Sequence, residues 1–434
     1  MAKKILFWPD VYLEQGHWLP TVVWANGLKE QGYDVDYMGI EDCASVVSPF
    51  GYVADPESAE NPKGKFHVIF QELYPLGYTR ENHGSIAERW KTDHVFAIAD
   101  GELDSLFAEA NKPDLLVSGY FTSLESLMLH YKYNIPVVIT TTFLRHPQQD
   151  PAIRALQNMM AFPREVARKL MRQAIGEEAW DDSMEVEDFV KPLENFHELI
   201  PCPREFEFEH YQSGDKVHYV EPCMTPETND QAEQDFWNSI PKSTPAIGDN
   251  PAVKMNYIFA TAGSQVQDYE DRAENMFRQM ANMMNDPQMK DYYLILAVGP
   301  KLARKNWGIS AKYKIVSWAP QRSILAHEDT KAAFIHGGLA TLKECIFNDK
   351  PFVLLPLGKD QLDNSLRVQE RSLGEVTWPD NVRSADLLYA VNKALCDRWI
   401  NQQREKMSVV FKAAESDAPG LQLLISLLES PVKP

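Results

Sequence analysis

The stretch Phe334-Ile335-His336-Gly337-Gly338-Leu339-Ala340-Thr341-Leu342-Lys343-Glu344-Cys345-Ile346 decides how the chain reads. An apolar strand runs into two glycines and then into a helix. Glycines at such a turn let a ligand come close to the backbone, and the helix N-terminus offers unpaired N–H groups to an anion. Positions 337, 341 and 344 are spaced four and then three apart, so they share one helix face. Positions 339, 342 and 346 share an apolar face that would pack on a sheet. The polar face thus presents a backbone amide, a hydroxyl and a carboxylate in a row. That row suits a diphosphate at the helix tip and a ribose diol one turn further on. By itself, the pattern fits a plain strand-turn-helix with a solvated Glu344 better.

Working outward, both halves of the chain open alike. The first begins with the apolar strand Ile5–Trp8, a loop carrying Gly16 and His17, and a helix from about Pro20 to Gln31 that Gly32 closes. Tyr33–Met38, Leu115–Val117 and Val137–Thr141 read as further strands, with Ser123–Tyr133 helical. The second half restarts with Asn256–Ala260, the turn Ala262-Gly263-Ser264, a Met-rich helix near Glu270–Met284 and the strand Tyr292–Val298. Ala332–Ile335 and Phe352–Leu355 follow, and Leu421–Leu428 is a terminal helix. Alternating strands and helices argue for an α/β fold of two Rossmann-like, doubly wound parallel-sheet domains. The polar stretch Pro226 to Asp249 reads as the linker between them.

Composition sets outer bounds. An apolar fraction of 44% with 24% charged residues is ordinary for a soluble chain with a real core. Lys and Arg number 43 against 62 Asp and Glu, a formal net charge of −19. This gives no overall footprint for nucleic acid or anionic membrane. Apolar runs such as Phe352–Leu357 fall far short of the roughly 18 residues a spanning helix needs. Pro9 and Asp10 cut Ile5–Trp8 too early for a signal peptide. The five cysteines are scattered without a CxxC pair, so neither a disulfide framework nor a zinc site is expected. The expectation is a cytoplasmic protein with no nucleic-acid partner and no integral membrane association.

The glycine turn does not stand alone. Upstream lie Ser317-Trp318-Ala319-Pro320-Gln321 and Ile324-Leu325-Ala326-His327; downstream lie Pro356-Leu357-Gly358-Lys359-Asp360-Gln361 and Asn364. This ordered set resembles the nucleotide-sugar signature of the family 1 UDP-glycosyltransferases, of the bacterial small-molecule type, which have the GT-B fold with two domains facing a central cleft. The resemblance implies that Trp318 stacks on the base and Gln321 bonds near base and ribose. It implies that His336, Gly338, Thr341 and Ser264 hold the diphosphate, that Glu344 takes the ribose hydroxyls, and that Asp360 and Gln361 take hydroxyls of the sugar. Plant members carry Trp-Asn where this chain has Leu339-Ala340, so one sugar contact is absent from the pattern. The implied co-substrate is a UDP-sugar, with glucose the default, or a TDP-sugar; no metal is required.

Gly16-His17 with Pro20, Ala25, Leu28 and Gly32 resembles the family's N-terminal pattern, in which the histidine is the general base. A histidine before a helix N-terminus feels a positive potential that keeps it neutral at pH 7, as a base needs. The family's base-orienting aspartate falls at Gly119, which cannot do that work. Either another carboxylate substitutes, with Glu125, one helical turn on, or Glu14 in the His17 loop the favoured ones, or the acceptor is acidic enough not to need it, or the protein is a poor catalyst. Aromatic and Met residues between Phe143 and Phe196 either line an acceptor cleft or simply form core.

Other patterns are set aside. Asp34-Val35-Asp36 reads as a solvated strand edge, and Glu205–Glu209 as a half-exposed strand. His210 and His218 lack metal spacing. Neither GxGxxG nor GxxxxGK[ST] occurs. The domains implied are 1–225 for the acceptor, 226–254 as linker, 255–415 for the nucleotide sugar, and a helix in 416–434 returning to the first domain. The expected activity is inverting transfer of a hexose to a small, largely apolar acceptor, by a monomer or weak homodimer. A nucleotide-sugar-binding protein without transferase activity and a transferase for lipid-linked acceptors are the alternatives.

Overall fold

A computed structural model describes residues 2–71, 73, 93–144, 146, 149–225, 231–243, 254–263, 266–308 and 310–430. The chain divides into two units. The first comprises Met1–Cys202, Gln212–Thr225 and Asp417–Pro434, and the second Pro203–Tyr211 and Pro226–Ser416.

Among the described residues the first unit is built on eight strands: β1 Lys4–Trp8, β2 Asp34–Gly39, β3 Tyr52–Val53, β4 Gly64–Val68, β5 Leu115–Gly119, β6 Val137–Thr140, β7 His197–Ile200 and β8 Val217–Tyr219. Their order is β3-β4-β2-β1-β5-β6-β7-β8, with every pair parallel. Parallel strands are covered on both faces, and β1 is apolar from Ile5 to Trp8 for that reason. Leu6 and Trp8 enter one core with Leu116, Leu124 and Ile139. Ile5 and Phe7 enter the other with Trp18, Val22, Val117 and Leu424.

The terminal helix Pro419–Glu429 belongs to this unit and buries Leu424 and Leu428 in the second core. Its N-terminus is held by the buried Glu221 carboxylate. Oε2 accepts from Gly420 N at 2.6 Å, and Oε1 from Leu421 N at 3.0 Å and Trp24 Nε1 at 2.6 Å. A carboxylate there meets the positive end of the helix dipole.

The second unit has β9 Asn256–Thr261, β10 Tyr292–Ala297, β11 Tyr313–Val316, β12 Thr330–Ile335, β13 Phe352–Leu354 and β14 Glu375–Val376. They run β11-β10-β9-β12-β13-β14, again all parallel. In each sheet the order reverses beside the first strand, between β1 and β5 and between β9 and β12. Open α/β sheets bind ligands at the carboxyl ends of strands flanking such a reversal.

Three local expectations differ from the structure. Asp36 lies on an interior strand, not a solvated edge: it is buried, accepts from Lys65 N at 2.7 Å and His67 Nε2 at 3.0 Å, and pairs with Lys4 at 3.2 Å. These partners hold its carboxyl below the ordinary range although burial alone would raise it. Arg204–Phe206 is a 3-10 turn, not the expected strand, and Glu207 is fully buried behind it. The linker stretch contains the helix Gln231–Asn238, whose Phe236 is buried and whose Trp237 donates to Ser323 Oγ at 2.8 Å; residues 226–230 and 244–253 lie outside the described residues.

Candidate active site

In the second unit the quoted stretch is strand β12, a turn, and the helix Leu339–Phe347 with Gly338 as N-cap. Leu339, Leu342 and Ile346 are buried as their shared face requires. Gly337 sits at φ +92, a left-handed backbone that only glycine adopts readily. The His336 ring lies between two glycines. A Cβ on Gly263 would meet its Cε1 at 2.5 Å, and a Cβ on Gly338 would meet its Nε2 at 2.5 Å. Burial lowers the His336 pKa to about 4 and leaves Nδ1 without a partner. The ring is therefore neutral at pH 7 and can give one N–H to an anion without bringing a buried charge.

The polar face of the same helix converges with the helix Gln321–Ala326. Gln321 Nε2 donates to Glu344 Oε2 at 2.5 Å and to Thr341 Oγ1 at 3.1 Å. Burial raises the Glu344 pKa, opposed by that hydrogen bond and by Arg322 and Lys343. Trp318, three residues before Gln321, keeps 59% of its surface exposed, an indole face open to a planar partner. Past β13, Gln361 Oε1 accepts from Leu357 N at 2.8 Å and Gly358 N at 3.2 Å, which leaves only its amide N–H groups for a ligand. Asp360 accepts from Asn364 Nδ2 at 3.1 Å, and the same nitrogen donates to the Gly337 carbonyl at 2.9 Å. Ser264 lies outside the described residues.

In the first unit, the helix Gln15–Glu30 begins earlier than the sequence suggests, so His17 stands in its first turn. Its Nδ1 meets Asp10 Oδ2 at 2.5 Å. Asp10 is 2% exposed, and its Oδ1 also accepts from Tyr12 N at 3.3 Å. The carboxylate on His17 Nδ1 is therefore Asp10, a residue that the expectation of Glu125 or Glu14 did not include. Gly119 explains why: a Cβ there would lie 1.7 Å from the Pro9 carbonyl oxygen, so the segment leading to Asp10 passes through the space a side chain would take.

Glu125 is buried nearby, its Oε2 without a partner and its pKa raised to about 7 by burial. Arg154 lowers and Asp10 raises that value. Phe121 stacks on His17 with ring centroids 5.2 Å apart, and Arg154 lies 4.9 Å from the Phe121 centroid. Of the Met and aromatic residues from 143 to 196, Met159, Met171 and Phe189 are core, and Phe143, Phe162, Trp180 and Phe196 pack partly buried against it.

Sequence reasoning missed Asp10. The available signal was a carboxylate just past an apolar strand and seven residues before the histidine. Among the described residues no cluster of three or more His, Cys, Asp or Glu could hold a metal ion.

Residues 299–415 match the UDP-glucoronosyl and UDP-glucosyl transferase family. Human 2-hydroxyacylsphingosine 1-beta-galactosyltransferase is 34% identical over 122 residues, which are 28% of this chain and 21% of that protein. The chain thus aligns with about a fifth of that relative's length. Over nearly the whole chain the fold is similar to that of the glycotransferase of kitacinnamycin (TM-score 0.68, 15% identity, 98% of this chain and 99% of that one). It is similar also to the spinosyn rhamnosyltransferase solved with thymidine diphosphate (TM-score 0.60, 17% identity, 99% and 100%).

Proposed function

We propose, for a chain that belongs to the family 1 UDP-glycosyltransferases and has the GT-B fold, that it transfers a hexose from a UDP-sugar to a hydroxyl of a small, largely apolar acceptor. One observation carries this reading. Gln321, Thr341 and Glu344 form a single hydrogen-bonded cluster beside the Gly337-Gly338 turn, inside the family-matched segment. The turn and the neutral His336 supply donors for a diphosphate, and Glu344 supplies a carboxylate for a ribose diol. Glucose is the default sugar. A TDP-sugar is the variant to test against it, because an indole face at Trp318 accepts either base.

The chemistry follows from where charge develops. The acceptor hydroxyl gives its proton to His17 Nε2, and its oxygen forms a bond to the anomeric carbon. The carbon–phosphate oxygen bond breaks on the opposite side, so the configuration inverts, and the electron pair leaves with the nucleoside diphosphate. Asp10 on Nδ1 fixes the tautomer with Nε2 as base and stabilises the imidazolium that forms, as the carboxylate does in a catalytic triad. The leaving diphosphate gains its negative charge against the helix tip, the His336 N–H and the Thr341 hydroxyl. Fixed donors of this kind do the work without a metal ion.

A lipid acceptor is the second reading, favoured by the human relative's name, which specifies transfer to 2-hydroxyacylsphingosine. The test is calorimetric titration of the full chain with UDP, TDP and UDP-glucose. Transfer from UDP-glucose is then assayed to a panel of phenols and apolar alcohols, and to a ceramide in mixed micelles. Micromolar UDP binding that disappears in Trp318→Ala and Glu344→Ala supports the donor site, and the panel separates the two acceptors. A protein that binds no nucleotide refutes the reading.

A further inference from the structure

The second unit contains a buried ion pair that the transfer chemistry above does not use. Arg367 Nε donates to Glu207 Oε1 at 2.6 Å, with the two side chains 2% and 0% exposed. Taking both charges out of water costs about as much as their attraction returns, so such a pair is poor evidence of a device for stability. Geometry supplies a different use. Arg367 Nη1 also donates to Asn364 Oδ1 at 3.4 Å. With its oxygen committed to the guanidinium, the Asn364 amide turns Nδ2 the other way, onto the Gly337 carbonyl and the Asp360 carboxylate. A flipped amide would set oxygen against oxygen at both of those partners and N–H against N–H at Arg367. The arginine therefore decides which way the asparagine points, and the asparagine holds the turn that opens the diphosphate-binding helix.

Glu207 comes from Pro203–Tyr211, a segment far away in sequence that belongs to this unit. The segment is fastened to the helix Gln361–Arg371 along its length. Arg371 Nη2 donates to the Glu207 carbonyl, Glu209 N donates to Glu370 Oε1 at 2.9 Å, and Arg367 lies 4.3 Å from the Phe208 ring centroid.

We infer that Arg367, held by Glu207, is a positioning residue for the phosphate-binding turn, acting through Asn364 on Gly337 and Asp360. The inference rests on the donor-site reading above and adds to it a remote segment that sets nucleotide affinity.

The test uses the full chain and three variants. Arg367→Lys keeps the charge beside Glu207 but loses the planar fork that reaches both partners. Glu207→Leu with Arg367→Met removes both charges together, so neither is left buried alone. Arg404→Met is the control: it breaks another ion pair of the same unit, with Asp349 at 2.8 Å, that has no contact with the turn. UDP affinity is read by calorimetry, donor and acceptor KM by initial rates, and folding by thermal melts.

Loss of one net hydrogen bond at the turn predicts a UDP Kd and donor KM raised about tenfold in the first two variants, with acceptor KM unchanged. The control should stay within about twofold whatever its melting temperature, since it loses no bond to the turn. UDP affinity within twofold of wild type in a folded Arg367→Lys protein overturns the inference. So does an equal loss in the Arg404→Met control, which would make the effect one of general stability. Wild-type protein that binds no UDP overturns the proposed function itself, and this inference with it.

Discussion

Replacing Asp10 by asparagine keeps the shape of the group at His17 Nδ1 and removes its charge. The contact is 2.5 Å and the carboxylate is 2% exposed, so little solvent screens it. When His17 takes the acceptor proton, its new positive charge is centred about 4 Å from that of the carboxylate. At an effective dielectric of about 20 the pair is worth roughly 4 kcal/mol. At 1.36 kcal/mol per decade that is on the order of a thousandfold in rate. The asparagine oxygen can still accept from Nδ1, so the resting ring orientation largely survives and the loss falls on the transition state. The expectation is a kcat lower by about 10³, with UDP affinity and acceptor KM changed by no more than a few-fold. The assay is UDP release at saturating donor with the best acceptor of the panel, beside calorimetric UDP binding. A kcat within about tenfold of wild type would sink the argument, because an exposed or unused carboxylate would cost no more than that.

The remaining predictions concern the groups around this pair and the donor cluster. Gly119→Ala drives a methyl into the Pro9 carbonyl, which a Cβ would approach to 1.7 Å; urea melts should show a loss of about 3 kcal/mol, with activity falling further than stability. Thymidine diphosphate lacks the 2′-hydroxyl that would meet Glu344, so UDP should bind about tenfold tighter, and the gap should close in Glu344→Ala. For His336 the folded pKa of about 4 lies below the ordinary 6.5. The unfolded chain therefore binds more protons between those values, and stability falls as pH drops through them, by up to about 3 kcal/mol; His336→Gln should flatten that acid limb. Glu125 has the opposite sign. Its folded pKa of about 7 exceeds the ordinary 4.5, so stability falls as pH rises from 4.5 to 7, and Glu125→Gln should raise the melting temperature at pH 8 but not at pH 4.5. A kcat lost in Glu125→Gln to the same degree as in Asp10→Asn would instead give the glutamate a part in the reaction.

The geometry of the candidate donor site was legible because its groups are written along one helix at helical spacing. Thr341 and Glu344 had to share a face, and Leu339, Leu342 and Ile346 had to be buried opposite them, whatever the rest of the chain did. The parallel sheets were legible for a similar reason: strands such as Ile5–Trp8 and Tyr292–Val298 have no polar side to show to water. What misled were short segments whose environment is set from far away. Asp36 alternates with apolar residues as an edge strand would, yet Lys4, Lys65 and His67 surround it in the interior. Glu207 stands in an alternating charged run, and its burial is met by Arg367, 160 residues on, and by the Phe208 N–H.

The misplaced carboxylate has a more specific cause. Strands β1 and β5 are neighbours, with Trp8 opposite Ser118, so the residues just past each strand enter the same space at the sheet's point of reversal. A side chain needed there can be delivered from either strand, and the other must then give way. Here Pro9 and Asp10 occupy it from β1, and β5 ends in the one residue without a side chain. Reading along the sequence, the natural search for a missing aspartate runs to the next helical turn and finds Glu125. Reading across the sheet, it runs to the adjacent strand end and finds Asp10. The glycine and the aspartate are then a single feature, and restoring a carboxylate at 119 in the wild-type chain should abolish the dyad, because the new Cβ would collide with the backbone that presents Asp10.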